Sequence, residues 1–311
     1  MALFSSPITM ALLGVFLGTF VDALVKGLAE ELPILTILTW RFVFGGIVTL
    51  GVYVMARRPW PGRADLLFHL LRGAIQALAG VSFFWALTQL ALVEAIVLGF
   101  TAGLMVPPVA RVLLGERMRS AFVGAGGLGF AGAVLASTGD VTAAPADGNR
   151  GLGIAAALFS SLTYALALVM LRMASRRGDA LTTIMFSNVM PVVFLVPILL
   201  GVSAIERANV PILPTPGQLW FIFGLALLGV VTWGLLTKAY AMAPAQRLAP
   251  LDYSSLVWGV LIGMVAFDEV PSLRLYVGAG LIILACLLVA FQSRFATRRE
   301  AHLPPTDVQG G

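Results

Sequence analysis

Residues 83–126 of this chain reappear in outline at residues 236–280, and that echo limits the fold more than any single site does. Trp85-Ala86-Leu87 answers Lys238-Ala239-Tyr240, Glu94 answers Arg247, Phe100-Thr101 answers Tyr253-Ser254, and Gly115-Glu116 answers Asp268-Glu269, all at an offset of 153. One residue is then added, and Val123-Gly124-Ala125-Gly126 meets Val277-Gly278-Ala279-Gly280. A match at fixed spacing over some forty residues indicates duplication of one structural unit. What the duplication means depends on how many membrane crossings each unit holds.

A membrane is the expected solvent. Hydrophobic residues make up 59% of the chain and charged ones 11%, with a mean hydropathy of +0.96, which is membrane-protein composition. Ten apolar runs approach the ~20 residues that cross a ~30 Å hydrocarbon core. They lie at about 8–28, 34–55, 67–90, 94–114, 121–138, 152–174, 182–202, 219–242, 248–267 and 273–291. In lipid each must satisfy its own backbone groups, so they read as helices. The first run is long enough to span and has no Lys or Arg before Lys26, so it reads as a retained helix and not as a cleaved leader. The polar, turn-rich stretch from Thr138 to Arg150 divides the chain into halves of five crossings each.

Basic residues set the orientation. With the N-terminus inside, cytoplasmic loops and tail hold Arg57, Arg58, Arg63, Arg72, Arg117, Arg119, Arg172, Arg176, Arg177, Arg247, Arg294, Arg298 and Arg299, against Lys26, Arg150, Arg207 and Arg274 outside. The net charge of +5 is therefore a topological signal, and no nucleic-acid partner is expected. Five is odd, so the second unit must cross in the opposite sense to the first. The predicted fold is an all-α polytopic membrane protein of ten transmembrane helices arranged as two inverted five-helix repeats, with both termini cytoplasmic. Its parts are residues 1–138, a periplasmic linker 139–151, residues 152–291 and a disordered cytoplasmic tail 292–311. Inverted repeats suit alternating access, because equivalent halves can close one face of a central cavity while opening the other.

Ionisable groups inside a bilayer cost roughly 2.5–3.5 kcal/mol each on insertion scales and need a partner or a watery cavity. The candidates are Asp22, Lys26, Arg41, Arg111, Lys238 and Asp252. Asp22 and Lys26, four residues apart, share a helix face and can pair. Asp22 lies about 9 Å inside the outer end of its helix at 1.5 Å per residue, and Arg41 enters the next helix to a similar depth. An Asp22–Arg41 contact would serve as an outer gate, hold a substrate's charge, or be purely structural. Lys238 and Asp252 form the matching pair near the cytoplasmic end, where a lysine can also snorkel to the headgroups. Pro107 and Pro250 interrupt helical hydrogen bonds and are hinge candidates. Glu116 and Glu269, at equivalent helix ends on opposite faces, read as interfacial structural groups or as a pair that closes the two mouths. Glycines such as Gly14, Gly18, Gly129 and Gly132 read as helix-packing surfaces.

Leu92 to Met118, with Pro107 and the closing Leu114-Gly115-Glu116-Arg117-Met118, resembles the fourth helix of the drug/metabolite transporter superfamily, in its EamA-domain branch with two repeats. Ala249 to Ser254, running on through Trp258 to Phe267-Asp268-Glu269-Val270-Pro271, resembles the ninth. Asp22 to Lys26 and Arg41-Phe42 look like the first two helices of a subgroup that includes riboflavin and S-adenosylmethionine importers. Asp268 stands where glycine is common, which argues against a tight helix-end turn there. The resemblance implies a central cavity lined mainly by helices 1, 3, 4, 6, 8 and 9, and transport without ATP hydrolysis. Trp85, Tyr164, Trp233, Tyr253 and Trp258 fall in those helices, where they would stack on a ring or hydrogen-bond it, or simply pack the core.

The expected partners are a small-molecule substrate and the lipid bilayer, with a homodimer compatible but not required. No cofactor or metal is expected, since Cys286 stands alone and the histidines are His69 and His302 only. Without a nucleophile–base constellation or a His-Glu-x-x-His pattern an intramembrane enzyme is disfavoured, and a transporter is expected. A secondary transporter or facilitator that moves a small organic metabolite, riboflavin-like, nucleoside-like or amino-acid-like, across a bacterial inner membrane is the first reading, and an exporter of amino acids or drug-like organic cations the second.

Overall fold

The computed structural model describes residues 6–115, 120–138, 141–142, 149–175, 179–205, 210–242, 251 and 254–300. Helices α1 (Pro7–Leu28), α2 (Ile34–Met55), α3 (Arg63–Gln89), α4 (Leu92–Gly99), α5 (Thr101–Leu114) and α6 (Ser120–Ser137) come first. After strand β1 (Val141–Thr142) follow α7 (Arg150–Ser175), α8 (Ala180–Ile205), α9 (Pro216–Met242) and α10 (Ser254–Phe267). Strand β2 (Val270–Pro271) and α11 (Leu273–Glu300) complete the order. Among the described residues six helices are long and apolar enough to cross a membrane, or seven if α4 and α5 count as one broken span. Shorter apolar helices occupy Gly127–Ala136, Ser254–Phe267 and Leu273–Ala285. The chain is an all-α polytopic membrane protein.

Local chemistry fixes many of the helix starts. Pro7 and Pro216 sit in first turns, where a missing N–H costs nothing. Asn149 accepts from the Leu152 N–H at 3.1 Å, and Thr215 and Gln218 bond reciprocally as a capping box. Asp179 accepts from the N–H and hydroxyl of Thr182 at the start of α8, and these bonds hold its carboxyl below the usual carboxylate range.

Four local features differ from the sequence reading. The fourth apolar run is not one straight helix. Phe100 closes α4 with a bifurcated bond to Ile96 and Val97, each 3.2 Å, and a 41° bend separates Leu92–Val106 from Pro108–Leu114, where the prolines supply no N–H. The turn at Asp268 is tight after all. Gly115 has φ 68 and Asp268, its repeat counterpart, φ 52, because aspartate is among the residues that tolerate the left-handed region. Within the linker, Val141 and Thr142 pair antiparallel with Pro271 and Val270, so the connection is stitched to the turn after α10. Helix α11 also continues past residue 291, to Glu300.

The two halves interleave. Neighbours α1 and α2 barely touch, whereas α1 packs on α9 and α3 on α7, α2 on α9 and α3 on α8, and α1 on α10 and α5 on α7. Exchanging the first half for the second turns the first member of each of these pairs into the other. The contacts α2 with α8 and α6 with α11 map onto themselves. Small residues permit the closest crossings: a Cβ on Gly132 would come within 2.8 Å of the Gly278 carbonyl, and one on Gly278 within 2.6 Å of that of Gly132. At the centre of the bundle α4 is buried on every side from Leu92 to Leu98, Glu94 included, as expected of a helix surrounded by protein.

Candidate functional site

The densest polar cluster gathers where α1 ends and α4 begins. Lys26, in the last turn of α1, places Nζ 2.5 Å from Oε1 of Glu269 and donates to the Leu90 carbonyl at 2.9 Å. Glu269 also accepts from the backbone N–H of Leu92 at 2.8 Å and of Val93 at 3.5 Å. Its carboxylate therefore satisfies the free N–H groups that open α4, where the helix dipole favours negative charge. The Asp268 turn aims it there, with the Glu269 N–H returning to the Gly263 carbonyl at 3.0 Å. Gly263 leaves the room, since a Cβ would sit 2.8 Å from Oε2. Lys26 is 9% exposed and Glu269 0%.

Next to it Glu94, also 0% exposed, takes two bonds on Oε1 from Arg150, at 2.8 and 3.1 Å, while its Oε2 has no partner among the described residues. Arg150 opens α7 and keeps about a third of its side chain exposed. Both carboxylates are thus neutralised by cations from the opposite half of the chain. Removing one member of a buried ion pair costs about 3–5 kcal/mol, because the other is left charged and dry.

Deeper in the bundle stand Asp22 and Arg41. Both are surrounded by protein yet keep part of their surface accessible. Arg41 is the positive charge that acts on Asp22, but no ion pair within 4 Å joins them among the described residues. The guanidinium lies 5.4 Å from the ring centre of Phe42 and 5.7 Å from that of Phe84, and reaches α9 where Gly229 has no side chain, its Nη2 being 3.1 Å from where a Cβ would stand.

The predicted residues thus sort clearly. Asp22 and Arg41 share one region. The Asp22–Lys26 pair does not form, since the Lys26 ammonium is held by Glu269 and Leu90 on its other side. Glu269 is no interfacial group but the centre of the buried cluster. Trp258 packs edge-on against Phe16 at 5.0 Å, and its indole N–H is buried with no partner. Trp85 and Tyr164 are partly exposed on α3 and α7, Trp233 is half-buried on α9, and Lys238 is exposed near the end of α9. Asp252, Tyr253, Pro250 and Glu116 lie outside the described residues. Pro107 lies at the 41° bend.

Sequence reasoning passed over Glu94, Arg150 and the true partner of Lys26. The signal was present: Lys26, Glu94, Arg150 and Glu269 all fall at ends assigned to one membrane face. Arg72, counted as a loop residue, is buried and donates to the Thr183 carbonyl at 3.0 Å.

Interleaved apolar helices with buried charges at one end and in the middle form a membrane-embedded carrier scaffold. The EamA-like transporter family matches residues 5–138 and again 151–291, and the chain belongs to that family. It is 29% identical over 269 residues to a riboflavin transporter of Rhizobium johnstonii, covering 84% of this chain and 81% of that one. It is 26% identical over 290 residues to a pseudopaline exporter of Pseudomonas aeruginosa, covering 93% and 97%. An S-adenosylmethionine uptake transporter of Rickettsia bellii is 23% identical over 279 residues, covering 90% and 91%. One crystal structure aligns with TM-score 0.58 at 19% identity, over 93% of this chain and 99% of that one, which is a likeness of fold. The resemblance read from the sequence, to a family holding riboflavin and S-adenosylmethionine importers, is borne out.

Proposed function

We propose that the chain is a secondary transporter or facilitator that moves a small organic metabolite across a bacterial inner membrane by alternating access. Ten crossings, with α4 and α5 as one, form two inverted units, residues 1–138 and 152–291, joined by a periplasmic linker, with both termini in the cytoplasm and a cytoplasmic tail from 292. The Lys26–Glu269–α4 cluster is the latch of the closed periplasmic mouth. The observation that carries this reading is the exchange relation between the halves among the described residues: α1–α9, α2–α9 and α1–α10 answer α3–α7, α3–α8 and α5–α7, while α2–α8 and α6–α11 are their own counterparts. A bundle built so can trade one closed end for the other. The latch supports it, because it joins α1 of the first unit to the turn after α10 of the second through a single carboxylate.

Relatives named as importers and as an exporter support a small-molecule substrate and leave both directions compatible with the scaffold, the gradient setting the sense. Aqueous-phase labelling of single cysteines at positions 117 and 176 tests the topology: both should react from the cytoplasmic side, and opposite sides would overturn the inverted arrangement. In proteoliposomes, saturable exchange of a bound metabolite is expected, while flux that rises without saturation would identify a channel.

A further inference from the structure

Asp22 and Arg41 are charged groups that the bundle encloses with no hydrogen-bond partner on either side chain among the described residues. Among the described residues neither makes a hydrogen bond nor an ion pair within 4 Å, and each keeps accessible surface while enclosed by protein. Elsewhere in the bundle each enclosed charge has at least one partner: Lys26 has two acceptors, Glu269 three donors, Glu94 two bonds from Arg150 on one oxygen, and Arg72 the Thr183 carbonyl. An arginine carries five N–H donors in a planar fork, and leaving them unused in a membrane protein is costly unless another group completes them.

Their depth is that of a transport site. Glu31 and Gln218 touch at 3.2 Å and mark one end of the α1–α9 contact. Asp22 lies six residues inside the end of α1, and Gly229, beneath the guanidinium, eleven below Gln218 on α9, which at 1.5 Å per residue is about 9 and 16 Å, well inside a ~30 Å core. The helix faces agree. Gly14 meets Leu236 and Gly18 meets Thr232, so the next position on that α1 face, Asp22, comes level with Gly229, where Arg41 arrives from α2. The walls are aromatic: Phe42 and Phe84 flank the guanidinium.

We infer that Asp22 and Arg41 form the polar end of the substrate site and select a small zwitterion, its acid group forked on Arg41 and its ammonium on Asp22, with an apolar remainder against the neighbouring rings. A carboxylate matches the guanidinium bidentately, and a molecule with both charges neutralises both residues at once, where a plain amine or acid leaves one buried charge uncompensated. This assignment rests on the transporter reading but is independent of how the mouths open.

The test uses the purified full chain in nanodiscs and three probes on one skeleton: L-phenylalanine, phenethylamine and 3-phenylpropionate. Wild type should bind the amino acid at least tenfold more tightly than either fragment. Arg41→Gln should reduce its preference over the amine to less than twofold, and Asp22→Asn its preference over the acid. Monodisperse elution and wild-type helicity identify folded variants, and Gly229→Ala, which crowds the guanidinium with charge unchanged, supplies a second one that should weaken amino-acid binding several-fold. Equal binding of the three probes, binding of none, a preference for the acid alone, or a zwitterion preference that survives both charge removals would overturn the assignment. Selective binding with a periplasmic mouth that never opens would instead leave the site standing and remove the alternating-access reading.

Discussion

At one end of the bundle, the carboxylates of Glu269 and Glu94 are buried with no exposed surface and each is held by a cation from the other half of the chain. At the opposite end the halves are also joined by an ion pair, Arg58 with Asp179 at 3.3 Å, but both side chains reach solvent. The chemistry is the same and the energy is not. A buried pair is locked because breaking it strands a dry charge, whereas an exposed one contributes about 0–1 kcal/mol and can be remade elsewhere. A carrier caught with one mouth shut should show this contrast, and on the proposed reading the buried end is the shut one.

Substitutions can break that contrast in graded steps. Glu269→Gln removes the charge that holds Lys26, and thermal unfolding in nanodiscs should show a loss of about 3–5 kcal/mol; a change under 1 kcal/mol would mean that the pair is not locked. Glu94→Gln should cost less, about 1.5–3 kcal/mol, as befits a charged hydrogen bond whose donor Arg150 can turn to water. Gly263→Ala keeps every charge but pushes a methyl toward the Glu269 carboxylate, and about 1–3 kcal/mol of overpacking is expected.

At the exposed end the effects shrink. Asp179→Ala deletes a helix cap worth about 1 kcal/mol. Because the Asp179 carboxyl is held below its ordinary range in the folded chain, its contribution is present above the unfolded-state value and is lost as pH falls through the lowered folded-state one. The gap between wild type and Asp179→Ala should therefore close in acid. Arg58→Ala should move stability by less than about 1 kcal/mol and the shift should vanish in high salt.

Much of this fold was legible because it rests on periodic signals. Apolar runs gave most of the helices within a few residues, and the repeat at an offset of 153 aligned Gly115 with Asp268, but the aspartate itself argued against the left-handed turn that both adopt. Asp22 and Arg41 were legible because their depth follows from counting residues along helices. The place of Glu269 at one mouth was legible from the repeat but its partner was not, for a physical reason: Lys26 and Glu269 are 243 positions apart, and local spacing paired Lys26 with the nearer Asp22. Charge at a helix end reads as interfacial unless the turn that carries it is known. Here the turn points inward, and the glutamate becomes the cap of α4.

The most direct test of the central claim follows the two ends at once. In a Cys286→Ser background, spin-label pairs at positions 31 and 273 and at positions 55 and 113, at opposite ends of the bundle, would report the two mouths before and after Glu269→Gln. The distance between 31 and 273 should lengthen while that between 55 and 113 shortens. A 31–273 distance that stays put, or two ends that widen together, would contradict the latch and the alternation built on it.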